Sequence, residues 1–270
     1  MIIYQRKAMN LNHIDFNALY IQQKEQSTFK MKSKEAWDKK AASMNTRVHN
    51  SIYNEEFLSH LNLNECETLL DVGCGVGNLS LKVASKLKRV YALDYSPVML
   101  EHLKNSAKEK NIDNIIALEK SWYDDWADVP SCDVVIASRS MEVVNMQEAL
   151  LKLHEKAKKR VYVSYKVGGS FVDEAILQAI GKTIIKKPDY IYVVNILYAL
   201  GINASVNFIR SEGRNTIYTS KDKFVQSIQW SLGELNTKEL QKLEAYYDNL
   251  EATQKQQQEY VYWAVISWKK

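Results

Sequence analysis

No stretch of this 270-residue chain constrains its fold more than Asp71-Val72-Gly73-Cys74-Gly75-Val76-Gly77-Asn78. It is entered from the apolar run Thr68-Leu69-Leu70 and left through the amphipathic segment Leu79-Ser80-Leu81-Lys82-Val83-Ala84. An apolar run that breaks into alternating glycines and then an amphipathic segment reads as strand, tight turn and helix. The glycines let the backbone turn sharply and approach a ligand where a Cβ would intrude. The turn then aims unpaired N–H groups and the positive end of a helix at that ligand, which favours a carboxylate or phosphate.

Spacing separates two ligand classes. The dinucleotide fingerprint needs glycine at the first, third and sixth positions, and counting from Gly73 the sixth position is Asn78. Asp71 also opens the loop where an anionic pyrophosphate would have to approach, so a ligand carrying a cationic amine suits it better. Asp94 ends the next apolar run, Arg89-Val90-Tyr91-Ala92-Leu93. An acid after the second strand is placed to accept hydrogen bonds from ribose hydroxyls. Ser96-Pro97 then opens a helix as N-cap and first helical residue, with Met99, Leu100 and Leu103 on its inward face.

The glycine loop, followed after a helix by the run from Tyr91 to Leu100, resembles the class I S-adenosylmethionine-dependent methyltransferases, notably the small-molecule and quinone-biosynthesis type. The resemblance covers roughly residues 68–167. It implies an α/β fold with a Rossmann-like, seven-stranded, mostly parallel sheet whose last strand is antiparallel. It also implies S-adenosylmethionine as cofactor. The methionine end, with its ammonium, carboxylate and sulfonium, falls to Asp71, Gly73, Gly75 and Gly77, with Cys74 and Asn78 in the same loop. The ribose falls to Asp94, with Tyr95 and Met99 beside it. Family members commonly carry an acid after the third strand. Here that position is Ser121, so Trp122 is the expected wall of the adenine, and Asp124 is either a partner of the exocyclic amine or an exposed loop acid. Ser138 completes the set at the end of the fourth strand.

The surrounding pattern alternates strands at 68–72, 89–94, 114–118, 132–138 and 160–166 with helices at 78–87, 97–110 and 146–157. Such alternation argues for a parallel sheet with right-handed crossovers and a ligand at the carboxyl ends of its strands. Gly168-Gly169 opens a helical insertion over about 168–202, read as helices at 171–185 and from Asp189 to Gly201. A sixth strand at 203–210, a helical stretch over 221–253, a glutamine-rich turn over 254–258 and a final strand at 260–268 follow. We take 1–62 as a helical N-terminal segment, or cap, and 63–270 as the catalytic domain. The segment up to Met31 reads as a short helix or a frayed arm, followed by helices at 35–49 and 53–61. In the resembled family such a segment folds over the cofactor and walls the substrate pocket. Trp37, Met44 and Tyr53 would then line that wall, or else form the core-facing stripe of amphipathic helices.

Apolar residues make up 46% and charged residues 25% of the chain, which excludes a largely disordered protein. The net charge of +4 comes from interspersed Lys and Glu. Without the basic stripe and stacking aromatics of a nucleic-acid binder, the expected partner is a small molecule. The most apolar stretch, Tyr190 to Leu200, is too short to span a membrane and contains Asn195. Cysteines at 66, 74 and 132 show no metal or redox spacing, so we expect no metal and a reduced cytoplasmic protein. Met1 to Lys7 lacks the apolar core of a signal peptide. The oligomeric state stays open.

Methyl transfer from a sulfonium is an in-line displacement that positioning and water exclusion can accelerate. No acid or base stands out by motif. The adjacent prolines of exocyclic-amine methyltransferases and a Pro-Cys nucleophile are absent, and the histidines have no identifiable partner. The expected reaction is methyl transfer to a small soluble acceptor; an RNA or protein methyltransferase of the same fold, or a non-catalytic S-adenosylmethionine-binding protein, are the alternatives. Arg139, delivered with Ser138 to the carboxyl edge of the sheet, has two readings. It forms an ion pair with Glu142 or Asp173, or its guanidinium grips a carboxylate or phosphate on the substrate.

Overall fold

Seven segments pair into one sheet in the computed structural model, which describes residues 10–47, 51–213, 218–256 and 260–270. They are β1 (Thr68–Val72), β2 (Arg89–Asp94), β3 (Ile115–Glu119), β4 (Cys132–Ala137), β5 (Ala157–Lys166), β6 (Ser205–Glu212) and β7 (Tyr260–Lys269). Their order across the sheet is β3-β2-β1-β4-β5-β7-β6. Strands β1 to β5 pair in parallel, and β7 runs antiparallel to both β5 and β6. Six strands therefore share one direction and the last opposes them, as the resemblance implied. The order reverses at β1, which has β2 on one side and β4 on the other. In open α/β sheets that is where ligands bind.

Period-two side-chain alternation explains why these runs are apolar throughout. Leu70 and Val72, Val135 and Ala137, Val161 and Val163, and Ala264 and Ile266 face one side. Leu69, Val134, Ile136, Tyr162 and Val265 face the other. Both faces are covered, so no polar stripe is needed. Helices α1 (Phe16–Gln26), α6 (Met146–Lys156) and α8 (Tyr190–Ala199) cover the first face. The second is covered by α3 (Ile52–Ser59), the short α4 (Ser80–Val83) and α5 (Pro97–Glu109), while α2 (Lys34–Arg47) lies against α5. In α5, Leu100, Leu103 and Ala107 form one buried stripe against Ala92 of β2, each fully buried leucine contributing roughly 1.5–3 kcal/mol.

Several elements differ from the sequence expectations. The helix over 78–87 is only α4 followed by a 3₁₀ turn at Ala84–Lys86; the chain must turn back early because the N–H groups of Lys88 and Arg89 both donate to the Glu67 carbonyl. The segment up to Met31 contains a docked helix, α1, whose Tyr20 is wholly buried and donates its hydroxyl to the Val143 carbonyl at 2.8 Å. The helices expected at 35–49 and 53–61 are α2 and α3, positions 48–49 lying outside the described residues, as do Met1 to Met9.

The helix expected over 171–185 is shortened to α7 (Glu174–Ile180), ended by Gly181 in the left-handed conformation, a common C-terminal device. The helical stretch over 221–253 is broken into α9 (Lys221–Leu232), α10 (Thr237–Asn249) and α11 (Ala252–Gln256). The first break is Gly233 at φ +85°, and a capping box between Asn236 and Glu239 restarts the helix. Gln254 to Gln256 of the expected glutamine-rich turn are in α11, with 257 and 258 outside the described residues. The insertion over 168–202 divides in space. Its α8 packs on the main core, whereas α7 joins α9, α10 and Phe29 in a separate cluster around Ile176, Phe224, Ile228 and Leu243. No helix among the described residues is long and apolar enough to cross a membrane.

Candidate functional site

The three glycines of the loop after β1 all have positive φ, and each is required for a different reason. A Cβ on Gly73 would lie 2.3 Å from the Cβ of Ser140, and one on Gly77 would lie 2.1 Å from Leu103 Cδ1. Gly73 thus lets β1 abut the segment after β4, and Gly77 lets α5 press against the loop. Gly75 differs, because a Cβ there would meet nothing within 4 Å. The loop opens at Gly75.

Two buried acids lie beneath this opening. Asp71, 2% exposed, accepts a 2.6 Å hydrogen bond from the Ser80 hydroxyl, and burial pushes its pKa up to about 7. Asp94, 6% exposed, accepts from the Gly75 N–H at 2.8 Å and from the Ser96 N–H at 3.0 Å, one on each oxygen. Burial raises its pKa too, against those backbone bonds. Each oxygen of a carboxylate has about two acceptor directions, so both retain capacity for a further donor. Ser96 caps α5 through the Met99 N–H and donates its hydroxyl to Asp38 of α2.

The other expected cofactor residues are distributed around this pair. Cys74 points into the core beside Leu100 and Leu103, and burial lifts its thiol pKa well above the ordinary value. Met99 is buried with Val76 and Ala41, and Trp37 and Met44 pack on the same small cluster. Tyr95 is half-buried, its pKa pushed up to about 12 by burial and then by Asp94. The side-chain oxygen of Asn78 is buried with no hydrogen-bond partner among the described residues. Ser121 and Asp124 form a closed local turn, the Asp124 carboxylate accepting from the Ser121 N–H at 2.7 Å. Trp122 stacks on Trp126 and donates to the Ser140 carbonyl at 3.1 Å, tying the loop after β3 to the segment after β4.

That segment, Ser138 to Ser140, forms the opposite wall. Ser140 donates to the Val72 carbonyl at 2.6 Å. Arg139 adopts φ +56°, a conformation that costs a non-glycine residue roughly 1–2 kcal/mol, and its N–H donates to Ser164 Oγ at 2.9 Å. The guanidinium lies 3.7 Å above the ring of Tyr53, with Trp263 at 5.8 Å. Tyr53 is wholly buried, and its hydroxyl bonds both Ser138 and Ser164. It is the floor under Arg139 and not a pocket wall. Neither ion pair expected from the sequence forms, since Glu142 bonds Lys187 at 2.6 Å and no carboxylate among the described residues lies within ion-pair distance of Arg139. Arg139 is exposed as a residue and lines a cleft with Glu142, Lys187 and Trp263; desolvation lowers its pKa from the ordinary arginine value, with Tyr53 and Glu212 opposing.

Tyr53→Phe is expected to destabilise the fold by about 1–3 kcal/mol, because the Ser138 and Ser164 hydroxyls lose a shared buried partner. Urea unfolding checks it. A variant as stable as the parent would mean that the two serines re-pair without cost.

Residues 69–160 match the methyltransferase-domain family. An uncharacterized protein of Haemophilus influenzae is 41% identical over 218 residues, covering 80% of this chain and 81% of that protein. Residues 69–160 therefore form a class I S-adenosylmethionine-dependent methyltransferase domain. A 23S rRNA (uracil-C5)-methyltransferase of Aliivibrio fischeri is 31% identical over 115 residues, 41% of this chain and 26% of that one. Among solved structures, a Haemonchus contortus phosphoethanolamine N-methyltransferase shares the fold with a TM-score of 0.53 at 13% identity, over 89% of this chain and 60% of that one.

The space over Gly75 is unfilled and lies beside the buried acceptor Asp94. Sequence reasoning missed Asp38, Ser164, Lys187 and Trp263 as neighbours of the site. Nothing in spacing marks them, since each comes from a distant element and is brought in by the sheet order.

Proposed function

We propose that this methyltransferase moves the methyl group of S-adenosylmethionine to a small acceptor held between the glycine loop and Arg139. The observation that carries this reading is the opening at Gly75, in the loop at the carboxyl end of β1, whose N–H is bonded to Asp94 at the end of β2. When bound, the cofactor supplies an electrophilic methyl on a sulfonium. The chain's part is to hold and orient. Asp94 takes the ribose hydroxyls with its remaining acceptor directions. The loop N–H groups and the charge of Asp71 take the amino-acid end, and Trp122 with Ser121 borders the base. Helix α2 covers the loop through Ala41, Trp37 and Met44, and Trp230 of α9 packs on Trp37, a cover that would exclude water from the transfer. The RNA-modifying relative matches over only 41% of this chain and 26% of its own length, so it lends no support to an RNA acceptor. The three buried, unpaired cysteines suit a reducing cytoplasm.

Calorimetry with S-adenosylhomocysteine tests the reading. Asp94→Ala is expected to weaken binding by about 1–3 kcal/mol, the scale of hydrogen bonds to a charged group. Asp94→Asn, which keeps one acceptor oxygen, should lose less. Undiminished affinity in a folded Asp94→Ala protein would remove Asp94 from the ribose site.

A further inference from the structure

The cleft beside Arg139 is lined by Arg139, Lys166, Lys187 and the acid Glu142, and Lys166 Nζ donates to the Val167 carbonyl at 3.0 Å. That acid is already shared. Lys187 Nζ lies 2.6 Å and Lys24 Nζ 3.8 Å from the same Glu142 oxygen, so two ammonium groups divide one carboxylate. Both lysine side chains are largely buried, 13% and 11% exposed. Burial lowers the pKa of Lys24, Glu142 opposing and Lys187 adding to the fall. Two largely buried ammonium groups that divide one carboxylate leave positive charge that an entering anion would complete.

The cations are held in place. The Lys187 N–H donates to the Gly169 carbonyl at 2.9 Å, and a Cβ on Gly169 would lie 2.5 Å from the Lys187 carbonyl. The crossing of these two strands of chain thus fixes Lys187 over the cleft. Phe171 lies beneath both Lys166 and Lys187, at 5.0 and 5.4 Å. Arg139 is held by its strained backbone and by stacking on Tyr53. Stacking covers the face of a guanidinium and leaves its in-plane N–H fork to bind a planar or tetrahedral oxyanion in two bonds. Phe171 and Trp263 supply apolar walls between the charges.

We propose that the methyl acceptor is an anion, carrying a carboxylate or phosphate seated between Arg139 and Lys187, with an apolar body against Phe171 and Trp263. This rests on the cleft being the acceptor site of the reading above. The Arg139 backbone is flanked by Ser140, which abuts Gly73, and by Ser164 of β5. Arg139 is thus one residue from the contact between Ser140 and Gly73 of the glycine loop.

The test uses four probes on the full-length protein saturated with S-adenosylhomocysteine: benzoate, phenyl phosphate, benzyl alcohol and benzylamine, followed by ligand-observed NMR or calorimetry. Both anions are expected to bind at least about ten-fold more tightly than the alcohol and the amine. The stronger of the two identifies the head group. Arg139→Gln and Lys187→Gln should each remove about ten-fold of the anion preference, the scale of a charge-assisted hydrogen bond, and thermal unfolding confirms that both variants are folded. Lys187→Gln serves alone if the arginine variant does not fold. Equal affinity for benzoate and benzyl alcohol, no anion binding at millimolar concentration, or a preference that survives both substitutions overturns the proposal. Failure of the parent protein to bind S-adenosylhomocysteine counts against the cofactor reading instead; the four probes are then read on the cofactor-free protein by the same criteria.

Discussion

Gly75→Val is expected to lose S-adenosylhomocysteine affinity by about a hundred-fold or more, equivalent to roughly 2.7 kcal/mol, in a protein that remains folded. Gly77→Val is expected to lose the fold itself. The two glycines are two positions apart and both have positive φ, +54° and +85°, so conformational strain of roughly 1–2 kcal/mol is common to them. What separates them is what their side chains would meet. At Gly75 the space is open; the Gly75 N–H to Asp94 bond at 2.8 Å can persist, and valine's methyls instead fill the space a ligand must enter. At Gly77 the new Cβ would overlap Leu103 Cδ1 at 2.1 Å. Leu103 is wholly buried in α5, so the helix has to move, and overpacking of this kind adds typically 1–3 kcal/mol or more. Thermal unfolding and calorimetry on both variants check the contrast. Wild-type affinity in Gly75→Val, or an unchanged melting temperature in Gly77→Val, would contradict the geometry.

Asp71 is expected to make the cofactor-free protein less stable as the pH rises. Its folded pKa of about 7 lies above the value of about 3.9 for an unfolded aspartate. Between those values the folded state binds more protons than the unfolded one, so stability falls with rising pH. The fall begins near the unfolded pKa, is complete above about pH 7 and amounts to the order of 4 kcal/mol. Asp94, raised by burial as well, adds with the same sign. Asp71→Asn cannot ionise and should flatten the curve, becoming more stable than the parent near pH 8. The same substitution should weaken S-adenosylhomocysteine binding there, because the ligand's ammonium favours the ionised carboxylate. In the parent protein affinity should therefore rise with pH up to about 7. Urea unfolding from about pH 5 to 8 measures the first effect and calorimetry the second. Parallel stability curves for parent and Asp71→Asn would show that Asp71 does not carry the dependence.

The strands β1 to β5 and the glycine loop were legible in the sequence because their signals are local. Alternating apolar residues, three glycines and the Ser96-Pro97 cap each act within a few positions. The floor and the far wall of the site were not legible, since they depend on pairings at long separation. Tyr53 and Ser138 lie 85 positions apart, and Gln23, which bonds the Lys187 carbonyl, is 164 positions from it. Helix α1 illustrates the same limit. Phe16, Leu19, Tyr20 and Ile21 do not form a clean helical stripe, and the helix is held by its buried Tyr20 and by α8. Arg139 was correctly placed at the sheet edge by strand periodicity. Its partner was not, because an aromatic floor leaves no charge pattern in the sequence, and Glu142 was the nearer acid by count alone.

The position of β7 between β5 and β6 sets the order in which the molecule can assemble during translation. Strands β2 to β5 find a neighbour among residues already synthesised, each adding to the growing edge. β6 cannot, since its sheet partner is β7, and β7 follows only after α9, α10 and α11. A nascent chain that has completed α11 therefore holds two unsatisfied strand edges, on β5 and on β6, and one strand closes both. Such a late, non-local step is slow and leaves those edges open to pairing with other chains. Trp263 belongs to that closing strand, so the floor around Arg139 is also finished last, and an intermediate lacking β7 can carry the complete glycine loop without the cleft beside Arg139.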